Sequence, residues 1–274
     1  MMGFIKRIAR RLTRFCDCIP ARIPVYVPVL QSDLLRNRTA LITGGSGGIG
    51  YSIAEAFLRA GAKVIISGRN KEKLDEAVTN LSSAGMISCV QMDNTKPDSF
   101  GTILSKLGAF DILVNNAGYV GGGSFGSTLE CEYDAVLDAN LKGTYFLSQE
   151  VSRRGIESGI HGNVLNVCSA SSLRPGDSPY ILSKWGMRSL TVGMARQLVK
   201  HDIVVNGIAP GITNTERFTH GENNITKHSN PSGRMVTKEE IANMATILVS
   251  PLCRMVVGDI LYMTGGGAIT TLDD

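Results

Sequence analysis

The chain has 274 residues, of which 43% are apolar and 19% charged, and it carries a net charge of +4. This balance indicates a soluble globular protein long enough for one large α/β domain with a sizeable core. Within residues 1–22, Lys6, Arg7, Arg10, Arg11, Arg14 and Arg22 face one acid, Asp17, so the remainder sits near −1 and has no overall attraction for nucleic acid.

In chain order, residues 1–35 form an extension to the domain of residues 36–274. Phe4, Ile8, Leu12 and Phe15 recur at helical spacing with basic residues between them, which predicts a basic amphipathic helix over residues 3–15. Pro20, Pro24 and Pro28 then impose an extended connector. Basic residues interrupt every apolar stretch here, against a secretory signal. Four roles fit the helix: docking on the core or a sister subunit, contact with an anionic membrane surface, a cleaved transit peptide, or a disordered tail. No apolar run approaches the roughly 20 residues that span a bilayer. The six cysteines are scattered, and only Cys16 and Cys18 are close, with no second pair to complete a zinc site. Free thiols in a reducing cytosol, hence a cytoplasmic protein that meets membranes peripherally if at all, are the expectation, with no metal.

From Thr39 onward, short β-rich runs at 39–43, 63–67, 87–92, 111–115, 163–168, 202–206 and 259–263 read as strands. Most are near-continuous apolar runs, as parallel strands covered on both faces require. Helical patterns fall around 48–60, 71–82, 97–107, 129–158, 178–200 and 237–250. The alternation predicts a doubly wound parallel sheet of about seven strands with helices on both faces, in a single domain.

The first strand runs into Gly44-Gly-Ser-Gly-Gly-Ile-Gly50 and then a helix. Glycines permit a tight bend and close approach of a ligand, and a helix N-terminus attracts phosphate. Gly45, Gly47 and Gly50 satisfy G-x-G-x-x-G, while Gly44, Gly48 and Gly50 satisfy G-x-x-x-G-x-G, and the spacing leaves both open. The second strand is followed by Ser67-Gly68-Arg69-Asn70 rather than by an acid. An acid there would meet a ribose 2′-hydroxyl, whereas Arg69 suits a 2′-phosphate, so NADP(H) is expected over NAD(H). Farther on, Tyr180-Ile-Leu-Ser-Lys184 offers a phenol and an ammonium one helical turn apart, hence on one face. An ammonium beside a phenol favours the phenolate and suits it to proton transfer near neutral pH. Turn and pair together predict hydride transfer between a nicotinamide and a carbonyl or alcohol.

With Asn115-Asn-Ala-Gly118 and Pro210-Gly211 added in order, the chain resembles the short-chain dehydrogenase/reductase family over residues 36–267, including members of the 3-oxoacyl-[acyl-carrier-protein] reductase type. The resemblance implies a Rossmann-like fold and assigns roles. Thr43, Gly44, Ser46, Gly48, Ile49 and Gly50 would form the pyrophosphate turn, and Asp93 would meet the adenine ring. Asn116, Ala117 and Gly118 would close beneath the adenosine ribose. Asn140 would anchor a water of the proton relay, and Ser169 would polarise the substrate carbonyl. Tyr180 would donate the proton, and Lys184 would hold the nicotinamide ribose. Pro210, Gly211 and Thr215 would cover the carboxamide. A homo-oligomer, dimer or tetramer, is also implied. Two departures stand out. Ten residues separate Ser169 from Tyr180, fewer than is usual in the family, with Ser171 and Ser172 as nearby competitors. Trp185 replaces a small residue after the lysine, which suits helix packing or an interface.

Substrate choice is expected in residues 212–235, which contain His220, Glu222, Asn223, Asn224, Lys227 and His228 and few large apolar side chains. A small polar or anionic carbonyl or alcohol, such as a sugar, polyol phosphate or hydroxy acid, fits this composition. A 3-oxoacyl thioester fits the family resemblance, and exposure to solvent alone would also explain the polar residues. A catalytically silent nucleotide-binding scaffold or sensor is the alternative to an enzyme. The joint presence of Asn140, Ser169, Tyr180 and Lys184 speaks for turnover.

Overall fold

A computed structural model describes residues 33–216, 225, 227 and 229–267. The basic helix expected over residues 3–15, its connector as far as residue 32, and His220, Glu222, Asn223, Asn224 and His228 lie outside the described residues. Seven parallel strands form one sheet: β1 (Thr39–Thr43), β2 (Lys63–Gly68), β3 (Ile87–Gln91), β4 (Ile112–Asn115), β5 (Asn163–Val167), β6 (Val204–Pro210) and β7 (Ile260–Met263). Their order is β3-β2-β1-β4-β5-β6-β7. The order reverses between β1 and β4, and in sheets of this kind a crevice opens there beyond the carboxyl ends.

Among the described residues, seven α-helices accompany the strands: α1 (Gly48–Arg59), α2 (Lys71–Leu81), α3 (Phe100–Leu104), α4 (Glu130–Leu137), α5 (Gly143–Glu157), α6 (Pro179–Leu198) and α7 (Lys238–Val249). Successive strand side chains point to opposite faces, so each central strand feeds two cores. Ala40 and Ile42 of β1, with Ile112 and Val114 of β4, pack with Ile53, Phe57, Leu74 and Ile241 from α1, α2 and α7. Leu41 and Leu113, one residue out of phase, pack with Phe100, Leu147 and Ala195 from α3, α5 and α6. Fully burying one such side chain stabilises by about 1.5–3 kcal/mol. Leu34 and Leu35 are already buried in the first core, and the Leu35 N–H donates to the Ala60 carbonyl at 2.9 Å. These two apolar side chains thus join the core ahead of residue 36, where the sequence places the start of the domain.

Three elements depart from the sequence pattern. The helix expected over 97–107 is a short 3₁₀ turn followed by α3, and the Ser105 hydroxyl donates to the Thr102 carbonyl at 2.8 Å, competing with the helical ladder where it stops. The strand expected at 202–206 begins at Val204, because Asp202 adopts a left-handed φ of 58°. It continues through Gly207 to Pro210, paired with β5 on one side and β7 on the other. The helix expected over 129–158 is broken by a π-helical turn at Asp138–Lys142, which carries buried Asn140.

Candidate active site

The β1–α1 junction is built by contacts that leave no room for side chains on one side and ample room on the other. Gly44 and Gly48 adopt left-handed φ of 65° and 56°. A Cβ on Gly50 would overlap the Asn116 amide and the Gly44 carbonyl. On the opposite side, a Cβ on Gly47 would meet nothing within 4 Å, and one on Gly48 would meet only the Thr215 methyl at 3.9 Å. Helix α1 starts there with no side-chain cap and no acid in its first turn. An open backbone cradle at a helix N-terminus fits a pyrophosphate.

Thr43 and Asn116 fix this turn against β4. The Thr43 hydroxyl accepts from the N–H groups of Asn116 and Ala117 at 3.0 and 2.9 Å. The Asn116 amide donates to the carbonyls of Thr43 and Gly44 at 2.9 and 3.1 Å. Beneath them, the Asn115 amide donates to Ser148 Oγ and Asn166 Oδ1 at 2.9 and 2.8 Å, lacing β4 to α5 and β5. At the end of β2, the Arg69 side chain is exposed and its carbonyl accepts from the Gln91 amide at 2.7 Å. Burial pushes the Asp93 carboxyl up. Hydrogen bonds from Thr95 and the nearby Arg69 and Lys96 charges outweigh it and hold the group below the usual carboxylate range. Arg69 and Asp93 are thus electrostatic neighbours at the same corner, and neither is in the lining of the cleft that Tyr180 and Lys184 share.

That cleft has a volume of about 540 Å³, and its lining includes Ser169, Tyr180 and Lys184 together with Ile49, Asn116, Gly118, Pro210, Gly211 and Thr215. Thr43, Gly44, Ser46, Gly48, Gly50, Ala117 and Asn140 stand behind or beside it rather than in its wall. A depression of similar size between α1 and α7, bordered by Leu34, Glu55 and Glu239, contains none of the predicted site residues.

Helix α6 delivers the tyrosine and the lysine. Ser178 caps it, its hydroxyl accepting from the Ile181 N–H, and Pro179 supplies the first turn with a preset φ. Tyr180 then sits at the mouth of the cleft with Lys184 one turn deeper. Lys184 is buried at 8% exposure, its Nζ lies 5.8 Å from the centre of the Tyr180 ring, and it donates to the Val167 carbonyl at 3.0 Å. Asn140 braces this helix from behind. Its Nδ2 donates to Ser183 Oγ at 3.0 Å and to the Tyr119 carbonyl at 2.9 Å, while its Oδ1 accepts from the Tyr119 N–H at 2.6 Å. Ser183 Oγ in turn donates to the Tyr180 carbonyl at 2.7 Å.

Of the three candidate serines, Ser169 and Ser171 line the cleft. Ser169 Oγ accepts from the Ser171 N–H at 3.1 Å, which leaves its own proton available. Ser172 is fully buried and faces elsewhere, with its Oγ donating to the Ser169 carbonyl at 2.8 Å and contacting Tyr262 Oη at 3.2 Å. Cys168 is buried, and burial pushes its thiol up, as suits a packing residue. The lining also includes Ile212 and Thr213, at the start of the segment expected to set substrate choice, and Val120 and Arg174, which the sequence pattern did not single out. For Arg174 the signal was its position between Ser169 and Tyr180.

The chain is similar over almost its whole folded length to characterised dehydrogenases and reductases. It is 34% identical over 245 residues to gluconate 5-dehydrogenase of Gluconobacter oxydans, covering 85% of this chain and 95% of that one. It is 33% identical over 250 residues to the 3-oxoacyl-[acyl-carrier-protein] reductase FabG of Chlamydia muridarum, covering 87% of this chain and all of that one. The structure of a gluconate 5-dehydrogenase from Burkholderia cenocepacia, in complex with NADP and tartrate, superposes with a TM-score of 0.79 at 29% identity, covering 88% of this chain and 99% of that one. The family profile of the short chain dehydrogenases matches residues 38–225, and the chain belongs to that family of NAD(P)-dependent oxidoreductases acting on hydroxyl and carbonyl groups.

Proposed function

We propose that the protein interconverts a carbonyl and a secondary alcohol of a small polar substrate with NADP(H), using Tyr180 as the general acid and base. The observation that carries this proposal is the pairing of Tyr180 with buried Lys184 in the wall of one cleft that also contains Ser169. The Gly47–Gly48 cradle fits the cofactor's pyrophosphate, held by Thr43, Gly44, Ser46, Gly48, Ile49 and Gly50. Arg69 takes the 2′-phosphate, Asp93 the adenine, and Asn116, Ala117 and Gly118 the adenosine ribose. Lys184 holds the nicotinamide ribose, with Pro210, Gly211 and Thr215 over the carboxamide.

When bound, the reduced cofactor supplies a hydride to the carbonyl carbon. The Ser169 hydroxyl donates a hydrogen bond to the carbonyl oxygen, and Tyr180 transfers its phenolic proton to that oxygen as negative charge develops. Asn140 holds the start of α6 in place through Ser183 and keeps one acceptor site on Oδ1 for a relay water. A sugar-type or hydroxy-acid substrate is supported by the gluconate 5-dehydrogenase likenesses, and a 3-oxoacyl thioester by the reductase likeness. Exposed Leu182 and Val192 on α6, with exposed Tyr145 and Phe146 on α5, support a homo-oligomer. Free Cys89, Cys131, Cys168 and Cys253 are in keeping with a cytoplasmic setting.

Replacing Tyr180 with Phe removes only the transferable proton. It should lower kcat by about 100-fold or more while leaving NADP(H) affinity within about twofold. A purified variant that keeps more than about a tenth of wild-type kcat, a barrier change below about 1.4 kcal/mol, rules Tyr180 out as the acid.

A further inference from the structure

We propose that Arg174 is the residue that selects the substrate, by pairing with a carboxylate on it, and that Trp185 positions this arginine. The proposal rests on the hydride-transfer function above and names the substrate class as a small hydroxy or oxo acid. The lining of the cleft contains two cations, Arg174 and Lys184, and no carboxylate. Lys184 is turned inward to the Val167 carbonyl. Several other exposed arginines of this fold pair with acids, as Arg59 does with Glu55 and Arg234 with Glu240. Among the described residues, the Arg174 guanidinium has no hydrogen-bond or ion-pair partner, although its backbone is held at both ends.

Its N–H donates to the Ser171 carbonyl at 3.2 Å, and its carbonyl accepts from the Trp185 indole N–H at 2.6 Å. Arg174 caps the same 3₁₀ turn, Ala170–Leu173, that Ser169 opens. One short turn therefore presents the carbonyl-polarising hydroxyl at its start and an unpaired guanidinium at its end, both on one cleft. Trp185 follows Lys184 directly, so the helix that fixes the ammonium also fixes the loop bearing the arginine. A guanidinium matches a carboxylate with two parallel hydrogen bonds, and an uncompensated positive cleft disfavours a neutral sugar relative to its acid.

The test is calorimetric titration of the full-length chain, saturated with NADP, using gluconate and its uncharged counterpart glucitol as probes. Wild type should bind gluconate about tenfold or more tightly than glucitol. Arg174→Met should weaken gluconate by about 10- to 100-fold, down to the level of glucitol, and Arg174→Lys should recover part of the difference. Trp185→Phe keeps the ring but loses the indole donor. It should weaken gluconate several-fold and narrow the acid-over-polyol preference, which a general loss of packing would not do selectively. Equal affinity for gluconate in wild type and Arg174→Met overturns the carboxylate site, as does a wild type that binds neither probe or binds both alike. Binding of an acyl carrier protein that Arg174→Met abolishes, with gluconate unbound, also overturns it, in favour of a macromolecular substrate. Turnover that survives Tyr180→Phe would remove the reaction assignment and leave this binding comparison standing. Unchanged gluconate affinity in Arg174→Met would remove the carboxylate site and leave the tyrosine result standing.

Discussion

Ser169 and Ser172 lie three residues apart yet face different environments, and their hydrogen bonds separate their roles. The Ser169 hydroxyl accepts from Ser171 N and keeps a proton for the cleft, whereas Ser172 bridges the Ser169 carbonyl and Tyr262 in the interior. Ser169→Ala should lower kcat by about 100-fold with NADP(H) affinity retained. Ser172→Ala should instead cost about 1–2 kcal/mol of stability and leave kcat within a few-fold, read by thermal unfolding and steady-state rates. Arg69 makes a second residue-scale prediction. It stands beside Asp93, which partly offsets its charge, so one substitution should shift the balance at this corner. Arg69→Asp should turn the preference in kcat/KM from NADPH toward NADH, and a wild type that already prefers NADH would overturn the NADP assignment. Motif residues were legible in the sequence because each obeys fixed spacing on a regular element: Tyr180 and Lys184 one turn apart, Thr43 at a strand end. Arg174 was not, because its place on the cleft depends on the path of a loop and on a hydrogen bond from Trp185.

Helix α7 shows how one element is anchored at its start. Thr237 and Glu240 form a reciprocal capping box, in which the Thr237 hydroxyl accepts from the Glu240 N–H at 3.1 Å and the Glu240 carboxylate accepts from the Thr237 N–H at 2.9 Å. Arg234 adds a two-point ion pair, and with the Thr237 N–H it holds the Glu240 carboxyl down to about 2. A carboxyl depressed in the folded state contributes stability above its unfolded value of about 4.3, and that contribution is lost as the pH falls from there toward 2. Glu240→Gln should therefore lower the Tm at pH 7, with the gap to wild type closing between about pH 4 and pH 2. The pair is more than a third exposed, so solvent screening should hold the change to about 2 °C or less. At this scale the strands were legible because a buried parallel sheet writes near-continuous apolar runs. The π-turn at Asp138–Lys142 was not, since its cause is tertiary. A Cβ on Gly143 would overlap the Asn94 carbonyl, and the extra residue in the turn accompanies the burial of Asn140 beneath the cleft. The far half of β6 was missed for a related reason. Glycine and proline are rare inside strands, but Gly207 lies where a Cβ would crowd Ile260 and Cys168, and Pro210 is the strand's last residue.

The candidate cleft lies at the carboxyl ends of β1, β4, β5 and β6, and β1 and β4 flank the reversal in sheet order. Every motif residue falls within the compact unit Gln31–Asp274, and among the described residues Leu34 and Leu35 already belong to its packed core. The alternation of strands and helices in the sequence was enough to foresee this sheet, since each βαβ step must bury both faces of a parallel strand. Assembly and location were not legible in the same way. They depend on surfaces whose partners lie outside the chain, and the basic stretch of residues 3–15 is compatible with several of them. Deleting residues 1–30 should leave kcat within about twofold, because the core residues described and every candidate site residue lie in the unit Gln31–Asp274. The effect should appear in assembly or in surface binding. Flotation of both forms with vesicles of anionic lipid separates the two: binding that is lost on truncation and weakened by salt identifies residues 3–15 as a membrane-surface contact. A change in oligomer size by light scattering without vesicle binding identifies them as a docking segment between subunits. Loss of turnover with cofactor binding intact would mean instead that the extension completes the substrate cleft, contrary to this prediction.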